Sequence, residues 1–431
     1  MTTLCVAGGR VLRPDGSVEE ADVLVDRREG TIIDVGTDLT HRADETLDAT
    51  GSVVMPGLVN AHTHAAMTLL RGYADDKPLD AWLREDIWPA EAALEPADVR
   101  AGTDLALLEM IRSGTTAFGD MYFHVGEVVD AVDEAGLRAR VGHGIVTVGK
   151  DVETAHDDIE EGLDVARAYD GAADGRVKTA VMPHSLTTVS DQAFAECVAA
   201  AEEIGVPLHL HANETRGEVE PIVGEYQKDP LAYADDLGVL GGKTFLAHGV
   251  HVSDEEIDLL AEHDSKIVHC PASNMKLASG MAPVQRYLDS GVTVALGTDG
   301  AASNNDLDLF DEMRDAAMVG KLAADRADAV AAPAVVEMAT QGGADALGLP
   351  GGRIEPGEAA DLAVVSLDAP HLTPVHDVVS HLVYAARGSD VRHTVCDGQV
   401  LMRDREVLTL DVERVKRDAR DRAARLAERA D

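Results

Sequence analysis

The chain has 431 residues, of which 78 are acidic and 37 basic, giving a formal charge of −41 with histidine neutral. Hydrophobic residues make up 45% of it, enough for a real core, so an acidic disordered protein is excluded. The acid is spread along the whole chain, and such a surface repels nucleic acid and anionic membranes; neither is expected as a partner.

Lysine is scarce: Lys77, Lys150, Lys178, Lys228, Lys243, Lys266, Lys276, Lys321 and Lys416 are the only nine. Abundant carboxylate with little lysine points to a halophile's protein, hydrated in concentrated salt, where a Debye length of about 3 Å at 1 M screens the self-repulsion. No apolar run reaches the ~18 residues of a membrane span. The start, Met1-Thr2-Thr3-Leu4-Cys5, lacks the basic and apolar pattern of a secretory signal. Cys5, Cys197, Cys270 and Cys396 are scattered with no Cys-x-x-Cys pair, which predicts reduced thiols and a cytoplasmic protein.

From residue 1 to 52, short alternating stretches (Leu4–Ala7, Ala21–Val25, Thr31–Val35) predict antiparallel strands. From 53 to 347 apolar runs of strand length recur, each followed by a helical pattern. The runs are Ser52–Val59, Thr115–Asp120, Arg140–Val146, Val177–Pro183, Val206–His211, Lys243–His248, Lys266–Cys270 and Val292–Thr298. The helices include Ala97–Arg112, Asp191–Ile204, Asp254–Glu262 and Leu307–Leu322, with N-caps at Ser190 and Ser253. From 348 to 431 the β texture returns in Ala360–Ser366, Val391–Cys396 and Gln399–Arg403, with Asp397-Gly398 as a hairpin turn and a closing helix over 411–430. The expected fold is α/β: a (β/α)8 barrel over 53–347, with a small β-sandwich built from 1–52 and 348–431. An open doubly wound sheet is the alternative, but no Gly-x-Gly-x-x-Gly follows the first strand, so dinucleotide binding is not expected.

In a barrel, chemistry gathers where strands end. The first strand runs into Asn60-Ala61-His62-Thr63-His64, and side chains two apart on a strand share a side, so His62 and His64 converge. The fifth ends His209-Leu210-His211-Ala212-Asn213-Glu214; His211 is nearest the rim, His209 is expected to be a hydrogen-bonded core residue, and Glu214 lies just beyond. The sixth ends on His248, the seventh on His269-Cys270, the eighth on Gly297-Thr298-Asp299-Gly300, and the fourth on Pro183-His184. His62, His64, His211 and Asp299 give three imidazoles and a carboxylate, a donor set for one divalent ion with a position left for water. Lys178 sits near the start of the fourth strand, leaving no lysine at the rim to bridge a second ion.

These residues resemble the amidohydrolase superfamily, and within it the 5′-methylthioadenosine/S-adenosylhomocysteine deaminases and related chlorohydrolases. Matching stretches are Met55–His64, Leu70-Arg71-Gly72, Trp88-Pro89-Ala90-Glu91, His209–Glu214, His269–Asn274, Gly297–Gly300 and Gly352–Leu362. The resemblance implies Zn²⁺ or Fe²⁺ on His62, His64, His211 and Asp299, proton handling by Glu214, His248 and Asp299, and a nucleoside sugar held by Glu91 and His184. It implies hydrolytic deamination of an adenine nucleoside, a small-molecule substrate, by Glu214 protonating N1 while Asp299 moves a proton from water to the leaving amine. The group often has an arginine where this chain has His143, in Val141-Gly142-His143-Gly144. Histidine is the weaker anion site, so His143 shifts the expected substrate from S-adenosylhomocysteine toward 5′-methylthioadenosine, 5′-deoxyadenosine or adenosine. The rivals are a hydrolase of guanine, cytosine or a triazine, and a catalytically silent barrel serving as a scaffold. A homo-oligomer is expected, dimer or tetramer alike.

Overall fold

The computed structural model describes residues 2–430. Its two chain ends meet in one nine-stranded sheet. Ser52–Pro56 is the joint: it pairs in parallel with Thr3–Leu12 and antiparallel with Leu362–Ser366, in register from Leu362↔Pro56 to Ser366↔Ser52. One face of this sheet gathers Leu4, Val6, Val23, Val25, Val54, Leu362, Val364 and Val395 into a core of their own. The turn at Asp397-Gly398 has φ of 51° and 70°, the left-handed pair that a two-residue hairpin between Val391–Cys396 and Gln399–Arg403 requires.

The expected strand Ser52–Val59 is two strands. Ser52–Pro56 belongs to the chain-end sheet, and Leu58–Thr63 begins the parallel sheets. The break falls at Gly57, whose backbone lies against the neighbouring strand so closely that a Cβ would stand 2.1 Å from Thr116 Oγ1. Its N–H donates to the Asp361 carbonyl at 2.9 Å. An unbroken apolar run hides such a change of partner, because both halves are buried.

The middle of the chain is α/β, with two sheets whose strands all run parallel. One is five-stranded, in the order Met182–Pro183, Arg138–Ile145, Thr115–Tyr122, Leu58–Thr63, with Val177–Thr179 also on Arg138–Ile145. The expected strand Val177–Pro183 is thus interrupted. The other is four-stranded: His209–Ala212, Phe245–His248, Lys266–His269, Val294–Leu296. Parallel bridges Val181↔Leu208 and Ser185↔His211 link the sheets on one side. On the other, Asn60 Nδ2 donates to Thr298 Oγ1 at 2.7 Å and Asp299 N–H to the His62 carbonyl at 3.0 Å. Val59, Ala61, Ala117, Met121, Met182, Phe245, Val268 and Ala295, from both sheets, form one buried cluster.

The connecting helices follow their caps. Asp191–Ile204 starts where Ser190 Oγ accepts from Ala193 N–H, and Asp254–Glu262 where Ser253 and Glu256 form a capping box. The last helix, Val412–Ala430, lies along Pro96–Ser113, with Arg429 on the buried Asp98. All four cysteines are free and buried. No helix among the described residues is long and apolar enough to cross a membrane.

Arg138 ties the two layers together. Its Nε donates to Asp361 Oδ2 at 2.7 Å and its Nη2 to Asp397 Oδ1 at 2.7 Å, with Asp361 only 2% exposed. Asp361→Ala leaves the buried guanidinium short of charge and should cost about 3 kcal/mol. Urea unfolding in molar KCl measures it, and an unchanged midpoint would count against the pair as a structural tie.

Candidate metal centre and active site

The strand-end residues meet in space. His62 lies within Leu58–Thr63 and His64 one residue past it; His211 lies in His209–Ala212; His248 closes Phe245–His248; His184 follows Pro183; Asp299 follows Val294–Leu296. The rings of His62 and His64 are 4.9 Å apart, those of His62 and His211 4.8 Å, and those of His64 and His211 5.3 Å.

Hydrogen bonds behind the rings decide what faces forward. His64 Nδ1–H donates to the Met121 carbonyl at 2.7 Å and His211 Nδ1–H to the His184 carbonyl at 2.8 Å. A carbonyl only accepts, so the Nε2 of each neutral ring carries a lone pair. These two nitrogens stand 3.3 Å apart. His62 Nε2 is buried with no hydrogen-bond partner among the described residues and lies 3.4 Å from Asp299 Oδ1; His64 Nε2 is 3.2 Å from the same oxygen. Asp299 Oδ2 accepts from Ser273 Oγ at 2.7 Å and Ser303 Oγ at 2.6 Å, which turns Oδ1 toward the imidazoles.

Lone pairs so crowded repel one another unless positive charge sits among them. Ligand atoms of His62, His211, His248 and Asp299 lie within 4.8 Å of one another and could hold a divalent ion, with His64 Nε2 alongside at 3.2 Å from the same aspartate. The same crowding shifts the ionisation of these groups. Burial works to lower His64, yet the hydrogen bond and charge of Asp299 override it and raise it to about 9. Burial and the neighbouring imidazole of His64 push His62 down to about 4 despite Asp299, and burial with the surrounding histidines holds His211 well below its usual value. Burial opposes charge on Asp299 too, but His62 and His64 keep it ionised.

Beside this cluster lie the groups that move protons. Glu214 is buried; burial raises its pKa, and Ser279 Oγ donates to its Oε1 at 3.1 Å. His248 Nε2 stands 3.7 Å from Glu214 Oε2, and its Nδ1 is held by Asn274 Oδ1 at 2.9 Å. Burial lowers His248, but Glu214 and Asp299 raise it more. Both His248 and Asp299 adopt left-handed backbone (φ 76° and 61°), uncommon for residues with side chains and found where a site over-determines the chain.

Glu91 is half-buried near His64 and the Tyr122 hydroxyl; burial pushes its carboxyl up to about 7 against their pull. His184 lies against His211 with ring centres 4.6 Å apart and planes inclined by 37°, its Nδ1 on Thr188 Oγ1 at 3.0 Å, and burial takes it down to about 4. The structure does not bring His143 to them. Its Nε2 is 3.1 Å from Asp158 Oδ1 and its Nδ1 3.7 Å from Glu161 Oε1, both on the helix Val152–Ala168. A ring flanked by two carboxylates is no site for an anion.

His209 is the hydrogen-bonded core histidine expected of it. Not foreseen were Ser273, Ser303, Asn274 and Ser279, which orient Asp299, His248 and Glu214. Asp120 was also missed: its Oδ1 accepts from the Ala65 backbone N–H at 2.6 Å and the Thr63 side-chain hydroxyl at 3.1 Å, holding the residues on both sides of His64. A carboxylate ending an otherwise apolar run was the available signal.

Residues 53–401 match the model of the Amidohydrolase family. The chain is 68% identical over 99% of both chains to the 5-methylthioadenosine/S-adenosylhomocysteine deaminase of Halobacterium salinarum. It is 46% identical to the 5′-deoxyadenosine deaminase of Methanosarcina mazei, over 100% of this chain and 99% of that one. Among solved structures, an adenosine deaminase from Xanthomonas campestris with bound zinc superposes with a TM-score of 0.92 at 38% identity, over 99% of this chain and 98% of that one. A converging set of histidines and one aspartate at parallel strand ends, and a family match across most of the length, lead to one conclusion: the chain belongs to the amidohydrolase family.

Proposed function

We propose that the protein hydrolyses the C6–amine bond of an adenine nucleoside, releasing ammonia and the inosine analogue. The observation that carries this is the placing of Glu214, His248 and Asp299 Oδ1 around the His62–His64–His211 cluster, in a chain whose relatives are named as adenosine-analogue deaminases. On this reading the parallel strands form a (β/α)8 barrel over 53–347, with the Asn60–Thr298 hydrogen bonds at its seam. The chain-end strands of 1–52 and 348–431 form the accompanying β-sandwich. His62, His64, His211 and Asp299 are the metal ligands; zinc is favoured because the Xanthomonas relative contains it. Buried free thiols fit a cytoplasmic protein, and exposed apolar Val152 and Leu322 leave room for contacts in a homo-oligomer.

When bound, the ion lowers the pKa of water toward neutrality and so supplies a nucleophile near pH 7. Addition at C6 breaks the aromatic ring system, so N1 must gain a proton as the oxygen arrives. Glu214, whose pKa burial raises, holds that proton and delivers it. Asp299 Oδ1 takes the proton of the attacking water and passes it to the exocyclic amine, while His248 orients the water. The C6–N bond then breaks. The remaining oxygen-bound proton returns to Glu214, leaving a 6-oxo product with hydrogen on N1. Glu91 accepts from the 2′- and 3′-hydroxyls, and neutral His184 serves the sugar beside it.

His211→Ala should lose metal and turnover together. Glu214→Gln should keep the metal and lose at least about 10²-fold in kcat; metal analysis beside kinetics checks both, and normal turnover by Glu214→Gln would remove it from the mechanism.

With His143 flanked by Asp158 and Glu161, 5′-methylthioadenosine should exceed S-adenosylhomocysteine in kcat/KM by about tenfold. The ultraviolet change from adenine to hypoxanthine, followed in about 2 M KCl where the surface charge is screened, gives the ranking. Equal or better use of S-adenosylhomocysteine would overturn the assignment. Silence with every adenine nucleoside would move the substrate to another heterocycle.

Glu91 must be ionised to accept two hydroxyls, and burial raises its pKa to about 7. Riboside KM should therefore rise as pH falls below about 7 and settle above it. Glu91→Gln should abolish that dependence.

A further inference from the structure

Among the three imidazoles assigned above as ligands, His64 and His211 are oriented by main-chain carbonyls, which no substitution removes. His62 alone is oriented by another side chain, that of His209. The His209 ring is 1% exposed and stacked on Phe245, with centres 4.1 Å apart and planes inclined by 12°. It cannot turn over without unpacking that pair.

Its Nδ1 lies 2.8 Å from the Phe245 carbonyl oxygen. The oxygen only accepts, so the hydrogen of the neutral ring is on Nδ1, and Nε2 keeps a lone pair. That lone pair faces His62 Nδ1 at 2.8 Å. Two lone pairs do not approach so closely, so His62 carries its hydrogen on Nδ1. A neutral imidazole has one N–H; His62 Nε2 is therefore bare, and it is this atom that lies 3.4 Å from Asp299 Oδ1.

We infer that His209 is a positioning residue of the metal centre: through a relay anchored on the Phe245 carbonyl, it sets the tautomer and the direction of His62. Its place two residues before His211 on the same strand puts it on the same side, one layer deeper. Both its ring nitrogens are engaged, by His62 and by the Phe245 carbonyl, so it acts through His62. The inference rests on His62 being a ligand.

The test is Zn²⁺ affinity of the full chain in molar KCl, by competition with a chromophoric chelator, for the parent, His62→Ala, His209→Phe and His209→Gln. His209→Phe removes the acceptor and should weaken Zn²⁺ binding about 10–100-fold. His209→Gln, with an amide oxygen where Nε2 was, should recover most of that loss. Melting of the metal-stripped proteins separates packing from binding, and both variants should melt close to the stripped parent. If His209→Phe does not fold, His209→Asn replaces it, since its amide occupies the place of Nδ1 and stops short of His62. Parent-like affinity in the variant lacking the acceptor, or no recovery in His209→Gln, overturns the inference. Parent-like affinity in His62→Ala instead overturns the ligand assignment beneath it.

Discussion

The hydrogen bond from Asp299 N–H to the His62 carbonyl, with the Asn60–Thr298 pair beside it, is the constraint on which the site depends. It joins the first parallel strand to the end of the last. Without it the carboxylate and the His-x-His would lie on separate sheets. With it, Asp299 Oδ1 faces two imidazoles at 3.2–3.4 Å. Gly297 makes the approach possible, since a Cβ there would stand 2.9 Å from the His62 backbone.

Two electrostatic regimes coexist in one chain. Outside, a charge of −41 is spread over a wet surface, where ions within about 3 Å at 1 M salt screen it. Inside, Asp299, Glu214, His62, His209, His211 and His248 are shut away from those ions, and their charges are set by one another and by fixed dipoles. Hydroxyls of Ser273 and Ser303 do for Asp299 what water does for an exposed carboxylate. Salt concentration can therefore govern whether the molecule folds while leaving the chemistry of its interior largely alone.

Much of this was legible in the residues. His62, His64, His211, His248 and Asp299 could be read because strand ends and period-two alternation place side chains without knowledge of packing. The helices Asp191–Ile204 and Asp254–Glu262 were readable to the residue, since their caps are local chemistry. What could not be read depended on contacts between distant segments. Gly57 divides an apolar run because Thr116 and Asp361 wait on either side of it. Ser273 and Ser303 look like any loop serines until Asp299 is folded between them. His143 was placed by spacing alone, and spacing does not say whether a ring turns inward or toward a helix.

The shared strand Ser52–Pro56 also bears on how the chain is made. One of its two partners, Thr3–Leu12, precedes it, while the other, Leu362–Ser366, is translated about 300 residues later, some 15–60 s at ordinary elongation rates. Through that interval the amino-terminal strands present an open sheet edge, the kind of surface that pairs with other chains. In this protein Ser52–Pro56, among the earliest strands synthesised, gains its second neighbour only when most of the chain has been made.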